Sequence, residues 1–226
     1  MDKKVRIAID GPGGAGKSTI AKLIARDIGA DYVDTGAMYR AVAYKMKQKG
    51  IGLRDENALA EMLSDTAIDF SDGDIMLDGV IVNDRIRAPE ISALASDCSA
   101  LAGVREKLVA LQREMGGKKS VVMDGRDIGT NVLPDAEFKI YLTAEKEERA
   151  RRRFNELASG GRETSYEQVL SDIVTRDRND MTRKLNPLRK ADGAIELDTT
   201  EMTVEEVRAR IMNLVRGGED GDSKAV

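Results

Sequence analysis

The chain has 226 residues and a net charge of −4, with 34% charged, 41% hydrophobic and 4% aromatic residues. The acidic balance argues against a general nucleic-acid binder, and so few aromatics leave no stacking platform for single strands. With no His, triads built on imidazole and most zinc enzymes are excluded, and the single Cys98 allows no intramolecular disulfide and reads as a small core residue.

The opening MDKKVRIAID lacks the apolar core of a signal peptide, and no segment approaches the length of a membrane span. A soluble, cytoplasmic protein without membrane or nucleic-acid partners is expected. In chain order, Val5–Asp10 reads as a strand, Ser18–Ile28 as a helix and Asp31–Val33 as a second strand. The stretch from Ile51 to Gly117 then changes character. A helix over Asp55–Leu63 precedes Ile75–Val82, where Asp78-Gly79 between β-rich runs predicts a hairpin with a two-residue type I′ turn. Helices over Ile91–Leu101 and Gly103–Met115 follow. Such an antiparallel insertion suits a separate small lobe holding a second substrate.

Beyond it, strands over Ser120–Asp124, Glu137–Leu142 and Ala194–Asp198 alternate with helices over Ala144–Ala158 and Ser165–Met181, and a last helix ends near Gly217. Ser165 with Gln168, and Thr203 with Glu206, have capping-box spacing. Alternating strands and helices predict an α/β fold of three layers around a five-stranded parallel sheet. The Gly-rich acidic end, 217–226, reads as a flexible tail.

Gly11-Pro12-Gly13-Gly14-Ala15-Gly16-Lys17-Ser18, followed by Thr19, fits the phosphate-loop pattern and sits between a strand and a helix, as that pattern requires. Glycines let backbone N–H groups curl around phosphate oxygens, and the helix N-terminus adds positive potential. Lys17 would reach the β/γ-phosphates of ATP, and the Ser18 hydroxyl could ligate Mg²⁺. Asp124, ending an apolar run, would supply a carboxylate near that metal. The loop alone is compatible with motors, switches and small-molecule kinases.

Four segments narrow the choice: IDGPGGAGKST (Ile9–Thr19), DTGAMYRA (Asp34–Ala41), DGRDIGT (Asp124–Thr130) and RDRNDMTR (Arg176–Arg183). On these the chain resembles the bacterial cytidylate kinases from about Val5 to Val215. The resemblance implies a phosphate-loop core over 1–50 and 118–216, a monophosphate-binding insertion over 51–117 and a short helical lid over about 149–165. It implies ATP, with Mg²⁺, phosphorylating CMP or dCMP.

The resemblance also implies site residues. Thr35 and Arg40 would hold the monophosphate, with Tyr39 beside them in the substrate site, although Tyr39 alone could be core and Arg40 a surface arginine. Ser96, Arg105 and Asp127 would surround cytosine, whose N4 amino group suits a carboxylate acceptor. Arg176 and Asp180 would hold the ribose hydroxyls, with Arg126 and Arg183 on the phosphates. In the charged helix, Arg152 and Arg153 would swing towards the transferred group, hinged at Ser159-Gly160-Gly161. The acceptor phosphate has its second pKa at about 6 and needs no general base, so a His-free kinase is chemically sound.

Rival readings keep the phosphate loop and change the acceptor to UMP, AMP or a non-nucleotide, or make the chain a switch, motor or binding module. No N-K-x-D guanine motif is present. A monomer is expected, because no heptad seam is evident.

Overall fold

The structure is a computed structural model and describes residues 4–71 and 73–217. The tail expected over 217–226 lies outside the described residues except for Gly217. Strand β1 (Arg6–Asp10) leads through the phosphate loop into α1 (Lys17–Ile28), then β2 (Asp31–Asp34) and α2 (Thr35–Lys49). Next come α3 (Glu56–Ser64), β3 (Ile68–Ser71), β4 (Asp74–Leu77), β5 (Val80–Ile81), α4 (Pro89–Cys98) and α5 (Ala102–Lys118). The chain returns through β6 (Val121–Gly125), β7 (Phe138–Thr143), α6 (Lys146–Ser159), α7 (Tyr166–Thr182), β8 (Ile195–Asp198) and α8 (Val204–Val215).

All neighbours in the order β2-β6-β1-β7-β8 are parallel. The five predicted strands are these five, within a residue at each end. The side-chain period of two explains why their sequences are apolar throughout. Ile7, Ile9, Val122, Ile140 and Leu142 face a cluster with α1 and α8, whereas Ala8, Val121 and Met123 face one with α2 and α5. Each fully buried aliphatic side chain contributes about 1.5–3 kcal/mol.

An α-helix and a strand escaped the sequence reading. The 15-residue helix α2 follows β2 directly, capped by Asp34, whose Oδ1 accepts the Ala37 N–H at 2.8 Å. Its buried Met38, Ala41, Val42, Lys45 and Met46 have helical spacing that could have revealed it. The expected hairpin is also a three-stranded antiparallel sheet, β3-β4-β5, with Ile68 opposite Leu77 and Phe70 opposite Ile75. The Asp78-Gly79 turn is as predicted, with φ of 51° and 80°. Apolar side chains of this insertion, Leu59, Ile75 and Ile91 among them, continue into the cluster formed with α2 and the main sheet.

The Thr203–Glu206 capping box is complete. At Ser165 only half forms: Ser165 Oγ accepts the Gln168 N–H, while the Gln168 side chain donates to Asp172. Helices α6 and α7 pack as a hairpin around their own small cluster, Ala150, Val169 and Ile173 with Phe154 and Leu157. Cys98 is buried, as expected, and burial pushes its thiol up to about 12. Among the described residues no helix is long and apolar enough to cross a membrane.

Candidate active site

Parallel sheets bind ligands beyond the carboxyl ends of their strands, where chain direction across the sheet reverses. Here β1 is central, and its end, Asp10, lies in register with Gly125 at the end of β6. A cleft of about 1560 Å³ opens at that edge. A pocket for one small ligand usually measures about 300–1,000 Å³, so this one has room for two.

One end of the cleft is the phosphate loop. Lys17 is buried, and its ammonium donates to the Pro12 carbonyl at 2.7 Å. Burial, then the nearby Arg126, pull its pKa down to about 7. Below it, Ser18 Oγ donates to Asp124 Oδ2 at 2.9 Å and Tyr32 Oη donates to Oδ1 at 2.8 Å. Burial and the neighbouring Asp34 raise the Asp124 carboxyl to about 6. A hydroxyl and one carboxylate are hard oxygen donors, and among the described residues no group of three or more acidic or Cys side chains is placed to hold a metal ion. That donor set fits Mg²⁺, which takes few protein ligands and completes its shell with water and phosphate. A cation beside Asp124 would also offset the burial of its charge.

The other end is lined by arginines tied to carboxylates. Asp127 is 5% exposed and accepts from Arg105 through Oδ2 and from Arg183 through Oδ1, the latter at 3.0 Å. Arg126 Nε donates to Asp180 at 2.7 Å, and Arg40 to Asp34 at 3.1 Å. The Arg105 guanidinium lies 5.8 Å from the Tyr39 ring centre, and the buried Tyr39 hydroxyl has no hydrogen-bond partner among the described residues. Thr35 Oγ1 donates to the Asp124 carbonyl at 2.7 Å, and Ser96 lines the same wall. Arg176 also lines the cleft. Burial, with Arg126 alongside, lowers it to about 10.

The lid arginines are paired with neighbours. Arg152 is held by Glu148 and donates to Thr199, and Arg153 pairs with Glu156 at 2.7 Å, although both border the cleft. Three contributors went unmarked in the sequence. Asp10 accepts the N–H groups of Ile128 and Gly129, both at 2.8 Å, and so fixes the turn behind Arg126 and Asp127. Burial raises its carboxyl to about 6 against those two bonds. Asp34 both caps α2 and aims Arg40. Residues Thr199–Val204, after β8, line the cleft beside Arg152 and the phosphate loop. An Asp ending an apolar strand is the signal that could have marked Asp10; the loop after β8 carries none.

The cytidylate kinase family profile matches residues 7–217. A cytidylate kinase from Caldicellulosiruptor bescii is 51% identical over 216 residues, covering 94% of this chain and 96% of that protein. One from Desulfitobacterium hafniense is 52% identical over 217 residues, covering 95% of this chain and 94% of that protein. One from Clostridioides difficile is 46% identical over 209 residues, with 92% and 97% covered. A crystal structure of shikimate kinase from Bacteroides thetaiotaomicron aligns at 14% identity with a TM-score of 0.50, covering 94% of this chain and 98% of that one. At that identity it shares the fold alone.

Proposed function

Because the chain belongs to the cytidylate kinase family, we propose that the cleft transfers the γ-phosphoryl group of ATP to CMP or dCMP, and that the residues assembled there divide the work as follows. The phosphate loop, Gly11 to Thr19, receives the ATP phosphates through its N–H groups, with Lys17 on the β- and γ-phosphates. The adenosine end lies towards Arg152 and Thr199–Val204. Mg²⁺, held by Ser18 and Asp124, would neutralise charge on the bridging phosphates when bound. CMP takes the arginine-lined end, with Thr35, Tyr39 and Arg40 at its phosphate and Ser96, Arg105 and Asp127 at the base. Arg176 and Asp180 face the ribose. The insertion, 51–117, forms the monophosphate wall, and 149–165 is the lid that excludes water.

In the reaction an oxygen of the CMP phosphate forms a bond to the γ-phosphorus, the bond to the ADP leaving oxygen breaks, and no proton need move. The residues therefore supply position and positive charge. Lys17, Arg126 and Arg183 do so from the core, and Arg152 and Arg153 join from the lid. The protein acts as a cytoplasmic monomer with small nucleotides as its ligands.

One observation carries the choice of base: a buried carboxylate, Asp127, paired with two guanidinium groups at the acceptor end. It accepts a hydrogen bond from the cytosine N4 amino group, whereas uracil would present O4, which has no hydrogen to donate. A coupled ADP-release assay with CMP, dCMP, UMP, AMP and shikimate tests this. Turnover should be highest with CMP or dCMP, and equal or better turnover with another acceptor sinks the assignment.

A further inference from the structure

Arg149, on α6, is buried and lies between the phosphate loop and α7. Its Nε donates to the Ala144 carbonyl at 2.9 Å, Nη1 to the Gly13 carbonyl at 3.0 Å and Nη2 to Asp177 at 2.6 Å. Loop and helix touch here. A Cβ on Gly14, whose φ is +80°, would stand 3.0 Å from Arg149 Cβ and 3.1 Å from its carbonyl oxygen. Asp177 is the neighbour of Arg176 and lies one turn before Asp180, both on the acceptor side of the cleft. Its second oxygen, Oδ1, is buried without a hydrogen-bond partner among the described residues, where Arg149 is the cation paired with this carboxylate.

The Gly13 carbonyl and the Gly14 N–H are opposite ends of one planar trans peptide. With the carbonyl turned towards Arg149, the N–H points away from it, towards the side on which such loops receive phosphate. Hydrogen bonds in series polarise one another. An anion on the Gly14 N–H makes the Gly13 oxygen a stronger acceptor, which draws on Arg149 and, through it, on Asp177 and α7.

We propose that Arg149 and Asp177 form a positioning pair that couples the two nucleotide subsites, so that ATP on the phosphate loop raises the affinity of the α7 side for CMP. The inference rests on the assignment of ATP and CMP to the two ends of the cleft. Coupling of this kind is reciprocal, so CMP tightens ATP by the same factor.

Calorimetric titration of the full chain with CMP, alone and with saturating AMP-PNP and Mg²⁺, provides the test. In the unsubstituted protein the analogue should lower the Kd for CMP about 5-fold or more. In Arg149→Lys, whose single ammonium cannot reproduce the two-pronged bridge, that ratio should fall to within about twofold of one. Asp177→Asn keeps the side-chain shape, removes the charge and decides the matter if the lysine variant unfolds; its ratio should fall likewise, with the Kd for CMP alone unchanged. A purely structural role would weaken CMP binding alike with and without the analogue. A preserved ratio in a folded variant, or a ratio near one in the unsubstituted protein, overturns the proposal. Failure of CMP to bind at all would instead overturn the assignment of the acceptor.

Discussion

Lys17 carries the largest functional consequence of burial in the molecule. Burial first, then Arg126 and Arg176 alongside, push its ammonium down to about 7. A triphosphate supplies negative charge and raises the pKa again. The sign follows: binding is strongest below the free value, and affinity declines as pH rises from about 7 towards the bound value. At about pH 8, where ATP itself is fully deprotonated, ATP binding should take up protons, seen as a dependence of calorimetric enthalpy on buffer ionisation. Lys17→Met should abolish that uptake; uptake that persists in the variant would locate the titrating group elsewhere. Asp127 is the matching case for specificity. In Asp127→Asn the amide cannot reproduce a charged acceptor worth about 1.5–3 kcal/mol. We expect kcat/KM for CMP to fall about 10- to 100-fold, with the KM for ATP unchanged and the CMP/UMP preference narrowed, because an amide can donate to uracil O4. An equal loss for both nucleotides would show that Asp127 serves structure instead.

At the level of elements, the strand–loop–helix of the phosphate site was legible because each part announces itself locally: apolar β1, a glycine-rich turn, then α1. Helix α2 was not, since its buried face mixes Ala and Lys45 with Met and so lacks a clean apolar stripe. Lys45 lies buried beneath the small sheet, its ammonium 2.6 Å from Asp78 at the hairpin turn. That turn is remote from the cleft lining, which separates stability from activity. Gly79 sits at φ of +80°, so Gly79→Val should destabilise the protein by about 1–2 kcal/mol, lowering Tm by about 2–8 °C. Scanning calorimetry alongside steady-state kinetics would check this, with kcat and the KM for CMP expected to stay put. A change in either would tie the hairpin to the acceptor site.

For the molecule as a whole, composition and local pattern determined a great deal. Apolar strands alternating with helices required a sheet covered on both faces, because strands without a polar face have no side to give to water. The loop from Gly11 to Ser18 required a phosphate ligand, and the resemblance supplied the residues that surround the acceptor. What tertiary structure alone decided is how the charges are paired. Residues as distant in sequence as Arg105, Asp127 and Arg183, or Gly13, Arg149 and Asp177, meet because parallel strand order brings the ends of β1 and β6 together and lays α6 and α7 over them. No periodicity or spacing encodes such meetings: a guanidinium reads the same in sequence whether it balances a buried carboxylate, holds a carbonyl of the phosphate loop or faces solvent. Only the fold's long-range packing fixes its neighbours, and with them the work it does.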